Sequence, residues 1–284
     1  MRLALKELKR TNVIRGSRLY YWLLFFFDKI TVRSKRISLN LHHWLQRLFA
    51  KLFSKELTIQ NNIGTFTIRA DDSIAKSSPY FEHHLQNWLG ETDARKGFLD
   101  IGANIGFYSL LAINQYQYQQ AWAFEANPRT HKLIQQNVVD SELTKKIHTF
   151  PFGLGDSETK LTFIQDTYHT GISRFVSKVP ELKSYEECIE VPVRTFDTVA
   201  KENHIDPSAI SFIKIDVEGF EYQVLQGMKE TLSKVPQGTL LFIEIWEQTS
   251  SSQQTLKLIE HYGFKIHKEK GRNKLFKNIR NYMK

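Results

Sequence analysis

Residues 97–112 read GFLDIGANIGFYSLLA, and this stretch decides the fold. GFLDI is a short apolar run of the kind that forms a strand buried on both faces. FYSLLA has a helical pattern, and the residues between are a tight turn bounded by Gly102 and Gly106. Strand, glycine turn and helix in that order open a parallel α/β unit. The alternation recurs downstream: AWAFE (121–125), KIHTFPF (146–152), ISFIKID (210–216) and TLLFIEIW (239–246) read as buried strands, with helical patterns after Pro128, Phe220 and Ser252. A doubly wound, mostly parallel sheet is the expected fold. Upstream, ELTIQ and TFTIR flank Asn61-Asn62-Ile63-Gly64 as a hairpin, and a helix is expected over Pro79 to Leu89. From Leu161 to Val193 the pattern weakens into strands and a loop inserted over one edge, ending in CIEVPVR.

In such a sheet a ligand sits beyond the carboxyl ends of the strands, so the residues just after each strand carry the function. Gly102 and Gly106 let backbone approach a ligand, and the following helix offers free N–H groups. Asn104 stands where the dinucleotide fingerprint needs its second glycine, and no G-x-x-x-x-G-K-[ST] loop is present. Asp100, at the strand end, would repel phosphate and suit a cationic ligand with an amino group, such as a sulfonium cofactor. Glu125 ends the second strand 25 residues on, roughly the offset at which an acid accepts hydrogen bonds from ribose hydroxyls.

These segments, DIGANIGFYSLLA (100–112), AFEANP (123–128), FIKIDVEGFEYQVLQGM (212–228) and LLFIEIWE (240–247), resemble the FkbM family of S-adenosylmethionine-dependent methyltransferases. The likeness runs from about Ile63 to Phe264, and K-I-D-V-E-G is its most specific part. It implies a class I, Rossmann-like, seven-stranded sheet and methyl transfer to hydroxyl oxygens of sugars, lipids or related metabolites. It further implies that Asp100, Gly102, Asn104 and Gly106 line the methionine side of S-adenosyl-L-methionine and that Glu125 holds the ribose. By the same analogy Asp156, in the Gly155-Asp156 turn after the third strand, would face the adenine amino group.

Alternation along the fourth strand places Asp216 and Glu218 on one side at its carboxyl end, where acceptor and cofactor meet. A carboxylate there can take the proton of a hydroxyl as its bond to carbon forms, typically worth about 10²- to 10⁴-fold. Asp216 and Glu218 are the candidates, with Glu244 in reserve. Converging carboxylates could instead hold a divalent cation that lowers the hydroxyl pKa; spacing alone leaves both routes open, and no metal ligand is assigned. Lys214 points the same way and is expected to pair with a carboxylate such as Glu244. His169 in the inserted loop, and Trp246 and Glu247 after the fifth strand, are further residues for the acceptor side. The Asn/Asp-Pro-Pro-aromatic signature of amine methylation is replaced by Asp216-Val217-Glu218-Gly219, which favours oxygen.

The formal charge of +9 sits at one end: residues 1–55 hold 13 Lys or Arg against Glu7 and Asp28, while the remainder is nearly neutral. Two parts are therefore expected, a basic amphipathic helical arm (1–55) and a methyltransferase domain (56–284). Leu19 to Phe27 is too short to cross a bilayer, and Ile37 to Phe53 has helical amphipathic spacing. Either the arm packs on the body with its lysines solvated, or its aromatics and cations rest on an anionic membrane, each base worth about 1 kcal/mol. Nucleic acid ranks below both, for lack of a recognised basic motif. The rival function is a nucleic-acid or partner-binding protein on a degenerate scaffold, marked by salt-sensitive binding and indifference to loss of Asp100. A single cysteine, Cys188, excludes an internal disulfide. With it goes an expected location in the cytoplasm, at the inner membrane face if the arm docks there.

Overall fold

The structure is a computed structural model that describes residues 11–19, 21, 23, 56–69, 83–92, 94–166, 173–176, 180–182, 186–245 and 250–280. Seven strands form the central sheet: β1 (Gly97–Ile101), β2 (Gln120–Phe124), β3 (Ile147–Phe150), β4 (Ile210–Ile215), β5 (Leu240–Glu244), β6 (Phe264–Lys270) and β7 (Asn273–Asn278). Their order is β6-β7-β5-β4-β1-β2-β3. The first five run parallel, and β7 inserts antiparallel between β5 and β6. Chain order reverses between β1 and β4, and a switch point of this kind is where a ligand is expected, beyond the carboxyl ends of the strands.

Period-2 alternation divides the strand residues between two cores. Phe98, Phe212, Leu240 and Phe242 face α1 (Phe107–Asn114) and α2 (Pro128–Asp140) in one cluster, while Leu99, Ile101, Ile213, Ile215, Leu241 and Ile243 face the other. That second face is covered by α3 (Phe196–Glu202), α4 (Glu221–Gln226), α5 (Lys229–Lys234) and α6 (Ser250–His261). The same parity puts Asp100, Lys214 and Glu244 on the α1 side, so three charges enter an otherwise apolar layer. Helix α2 starts where Asn127-Pro128 dictates: the Asn127 side chain accepts the Arg129 amide at 2.9 Å and Pro128 occupies the first turn.

The expected hairpin forms from Glu56–Gln60 and Thr65–Arg69, its turn held by Asn61 Oδ1 accepting the Ile63 amide. It lies on α2: the Thr67 amide donates to Asn137 Oδ1 at 2.6 Å, and Asn137 Nδ2 donates to the Ile105 carbonyl at 2.8 Å. One correction concerns the arm. Asn12–Arg15, expected within a helical segment, is a strand that pairs antiparallel with Glu56–Gln60. Four residues with a bulge at an edge carry too little pattern to announce a strand whose partner lies some 40 positions away. The amphipathic segment 37–53, and with it the membrane-docking expectation, lies outside the described residues. No helix among those described is long and apolar enough to cross a membrane.

The inserted region is a four-stranded sheet ordered Gly153–Leu154, Glu186–Arg194, Thr159–Asp166, Arg174–Phe175. The Phe175 ring lies 4.8 Å from that of Phe220, tilted by 42°, just beyond β4, which brings this sheet over the carboxyl end of the central one.

Candidate active site

Three strand exits meet here. After β1 the chain turns through Gly102 (φ +78°), Asn104 (φ +52°) and Gly106 (φ +81°), three left-handed positions within five residues. Gly102 is demanded by its neighbour: a Cβ would stand 1.9 Å from the Asp216 carbonyl oxygen. Gly106 starts α1 and has Ile134 of α2 at 3.3 Å from the place of a Cβ. Both glycines, expected to make room for a ligand, are thus also fixed by internal packing. The amides of Gly102 and Ala103 donate to the Phe124 carbonyl at 3.0 and 2.9 Å, and the Asp216 amide to the Ile101 carbonyl at 3.1 Å. The loop is tied to β2 on one side and β4 on the other.

Glu125 braces the loop from the β2 exit. Its Oε2 accepts the Asn104 amide at 2.9 Å and its Oε1 the Asn127 amide at 2.8 Å. A carboxylate offers about four lone-pair positions, two of which these amides take. The side chain is half-buried at the surface of the crevice, where the second strand end was expected to present it.

Asp100 takes a different position from the expected one. It is 0% exposed and lies beneath the loop. Its Oδ2 accepts from Ser109 Oγ at 2.7 Å, and its Oδ1 faces Lys214 Nζ at 3.5 Å. Burial pushes its carboxyl up from the usual aspartate range, against the opposing pull of Lys214 and of the Ser109 hydroxyl. Asp100 therefore supports the loop from below. Lys214, 2% exposed, also reaches Asp216 Oδ2 at 3.4 Å, donates to the Gly102 carbonyl at 3.2 Å and sits 5.4 Å from the Tyr108 ring centre. The carboxylates that Lys214 meets are Asp100 and Asp216, because the register of β4 against β1 sets Lys214 directly beside Asp100. Ser109 and this role of Lys214 escaped sequence reasoning. Helical spacing from the glycine turn could have found the first, and the strand order the second.

The three carboxylates expected to act on the acceptor do converge. One oxygen from each of Asp216, Glu218 and Glu244 lies within 4.8 Å of the others, and all three residues are half-buried. Register explains it: Ile215 pairs with Ile243, so Asp216 and Glu244 follow side by side. Glu218, at φ +55°, turns back toward them. Such a trio can take up a proton or bind a divalent cation. The Lys214 ammonium already answers part of the Asp216 charge and would repel a second cation, so no cation is assigned. Asp156 lies in an exposed turn, where its Oδ1 accepts from Ser157 Oγ at 3.1 Å. His169, Trp246 and Glu247 lie outside the described residues.

The family model described as Methyltransferase FkbM domain matches residues 100–266, more than half of the chain. Methyltransferase sdnD of Sordaria araneosa is 26% identical over 198 residues, which are 61% of this chain and 74% of that protein. Methyltransferase 1 of Beauveria bassiana (strain ARSEF 2860) is 25% identical over 146 residues, covering 46% of this chain and 58% of its own length. Among solved structures, the M. jannaschii tRNA m1G37 methyltransferase aligns with 80% of this chain and 58% of its own at a TM-score of 0.42 and 14% identity.

Proposed function

The chain belongs to the FkbM methyltransferase family, and on that premise we propose that it is an S-adenosylmethionine-dependent O-methyltransferase acting on a hydroxyl of a glycan, glycolipid or related small metabolite. The observation that carries the reading is the meeting of Asp216, Glu218 and Glu244 beside the left-handed loop 102–106. The donor set fits the cofactor. Loop 102–106 and the amino end of α1 would hold its methionine part, Glu125 its ribose hydroxyls, and Asp156 its adenine amino group. Asp100 and Lys214 hold that loop against the β4 exit from beneath.

When bound, the cofactor supplies a methyl group on a sulfonium with a good leaving group. The protein's share is alignment and proton removal. A sugar hydroxyl is a poor nucleophile at neutral pH, and a carboxylate of the trio takes its proton as the new bond to carbon forms. Oxygen is favoured over nitrogen because Asp216-Val217-Glu218-Gly219 presents carboxylates after β4 in place of a Pro-Pro-aromatic turn. With isotopically labelled S-adenosylmethionine and matched glycosides bearing either free hydroxyls or an amino group, label is expected on the hydroxyl compounds. Label confined to the amino compounds would overturn the assignment to oxygen.

Docking of the basic arm on an anionic membrane belongs to the same proposal and rests on charge and aromatic content alone. It is better tested by replacing arm lysines and arginines than by truncation at residue 55. Truncation would strip Asn12–Arg15 from its partner strand and uncover Leu57 and Ile59 of the core.

A further inference from the structure

Glu221 reads in the sequence as a helix-start residue, but the helix it opens is only six residues long, and its carboxylate serves the preceding turn as well as its own amide. Its Oε1 accepts the Gly219 amide at 3.0 Å and the Val217 amide at 3.4 Å, one on each side of Glu218. Glu218 and Gly219 occupy left-handed backbone in succession, at φ +55° and +100°. For glutamate that conformation is disfavoured, and it persists where surrounding contacts over-determine it. Two amides converging on one oxygen make a small anion-binding concavity, and here the chain supplies its own anion.

Glu221 is 7% exposed. Burial pushes its carboxyl up from the usual glutamate range, partly opposed by the amides of Gly219, Glu221 itself and Val217. Keeping a carboxylate in that position is costly, and a residue that merely began a helix would avoid the cost by facing solvent. The other end of the same turn is locked separately: Asp216 is fastened to the β1 exit through its amide, its close contact with Gly102 and the Lys214 ammonium. The turn is thus gripped at both ends, with Glu218 between.

We propose that Glu221 is a positioning residue that sets the Val217-Glu218-Gly219 turn and so aims the Glu218 carboxylate into the Asp216/Glu244 cluster. The proposal rests on the reading of that cluster as the group that takes the acceptor proton, and its test separates the two ideas. The full-length protein and its Glu221→Ala and Glu221→Gln variants are compared by hydrogen exchange at the amides of 217 and 219, by calorimetry with S-adenosylhomocysteine, and by kcat and KM with a hydroxyl-bearing glycoside that the wild type labels.

In E221A those two amides exchange at least about tenfold faster, while amides of β4 and β5 keep their protection. Affinity for S-adenosylhomocysteine stays within about threefold, and kcat falls roughly 10²-fold at nearly constant KM, as displacement of a reacting group would cause. E221Q keeps an acceptor oxygen and recovers most of both losses. If E221A fails to fold, Glu221→Asp, which withdraws the oxygen by one methylene, is expected to show the same exchange and kcat pattern. Unchanged exchange at 217 and 219, or E221Q as impaired as E221A, would overturn the clamp. So would a fall in kcat matched by equal losses in cofactor affinity and thermal stability. The exchange measurement judges the clamp even if the wild type transfers no methyl group, an outcome that would count against the proposed function alone.

Discussion

Replacing Asp216 by asparagine is expected to lower kcat for methyl transfer about 10²- to 10⁴-fold and to leave affinity for S-adenosylhomocysteine nearly unchanged. The substitution keeps shape and removes the ability to accept a proton. Asp216 is the member of the trio best fixed in place: its backbone is tied to Ile101, and Lys214 holds its Oδ2 at 3.4 Å. The Lys214–Asp100 contact survives in the variant, so loop 102–106 keeps its support. Glu218→Gln and Glu244→Gln complete the series, read in steady-state kinetics on one acceptor. The largest loss in kcat at constant KM identifies the base, because only an interaction made in the transition state lowers kcat without changing KM. Three variants that all keep wild-type kcat would contradict the assignment of proton removal to this cluster.

The second large effect is on stability. Lys214→Met removes an ammonium from between Asp100, which is fully buried, and Asp216. Ser109 still donates to Asp100, but among the described residues no other cation pairs with it. Breaking one side of a buried pair costs about 3–5 kcal/mol, which corresponds to roughly 6–20 °C in the thermal midpoint for a chain of this size. The loss has a signed pH dependence. Burial already raises the folded-state pKa of Asp100 above its unfolded value, and without Lys214 it rises further. A carboxyl with a raised folded pKa is fully stabilising below its unfolded pKa and loses that contribution as pH climbs through the folded one. The deficit of K214M should therefore be small below about pH 4 and grow as pH climbs through the folded-state pKa of Asp100. Adding Asp100→Asn to K214M removes the unpaired charge and should restore part of the loss, with a coupling of about 1–3 kcal/mol in the double-mutant cycle. Denaturation midpoints across pH measure all of this. A deficit of equal size at every pH would show that Lys214 acts through packing alone.

Much of this architecture was legible because its signals are local. Five parallel strands announced themselves as apolar runs, and the turn from Gly102 to Gly106 marked the strand-to-helix junction. The carboxyl ends of strands four and five located Asp216 and Glu244, but Glu218 joins them through a left-handed turn beyond β4 and not through the strand alternation expected of it. What was hidden depends on which strands become neighbours. Lys214 was expected against a carboxylate such as Glu244, whereas the register puts it beside Asp100 and the fold also brings Asp216 into reach. Strand-end position did not reveal the depth of Asp100, which is fully buried. Gly102 looked like a concession to a ligand, while the closest atom belongs to Asp216, more than a hundred residues away. Asn12–Arg15 was obscured by the charge and aromatic bias of the arm around it. Its strand conformation depends on pairing with Glu56–Gln60 rather than on local propensity.

The central claim is that the exits of β1 and β2 form a pocket for the sulfonium cofactor, braced by Glu125 and floored by Asp100 and Lys214. Isothermal calorimetry of the folded, full-length protein with S-adenosylhomocysteine tests it without knowledge of the acceptor. One molecule should bind per chain, and Glu125→Gln should weaken binding about tenfold or more, as loss of a charged hydrogen-bond acceptor requires. A folded wild-type protein that gives no binding signal, or one that binds equally well with Gln at 125, would contradict it.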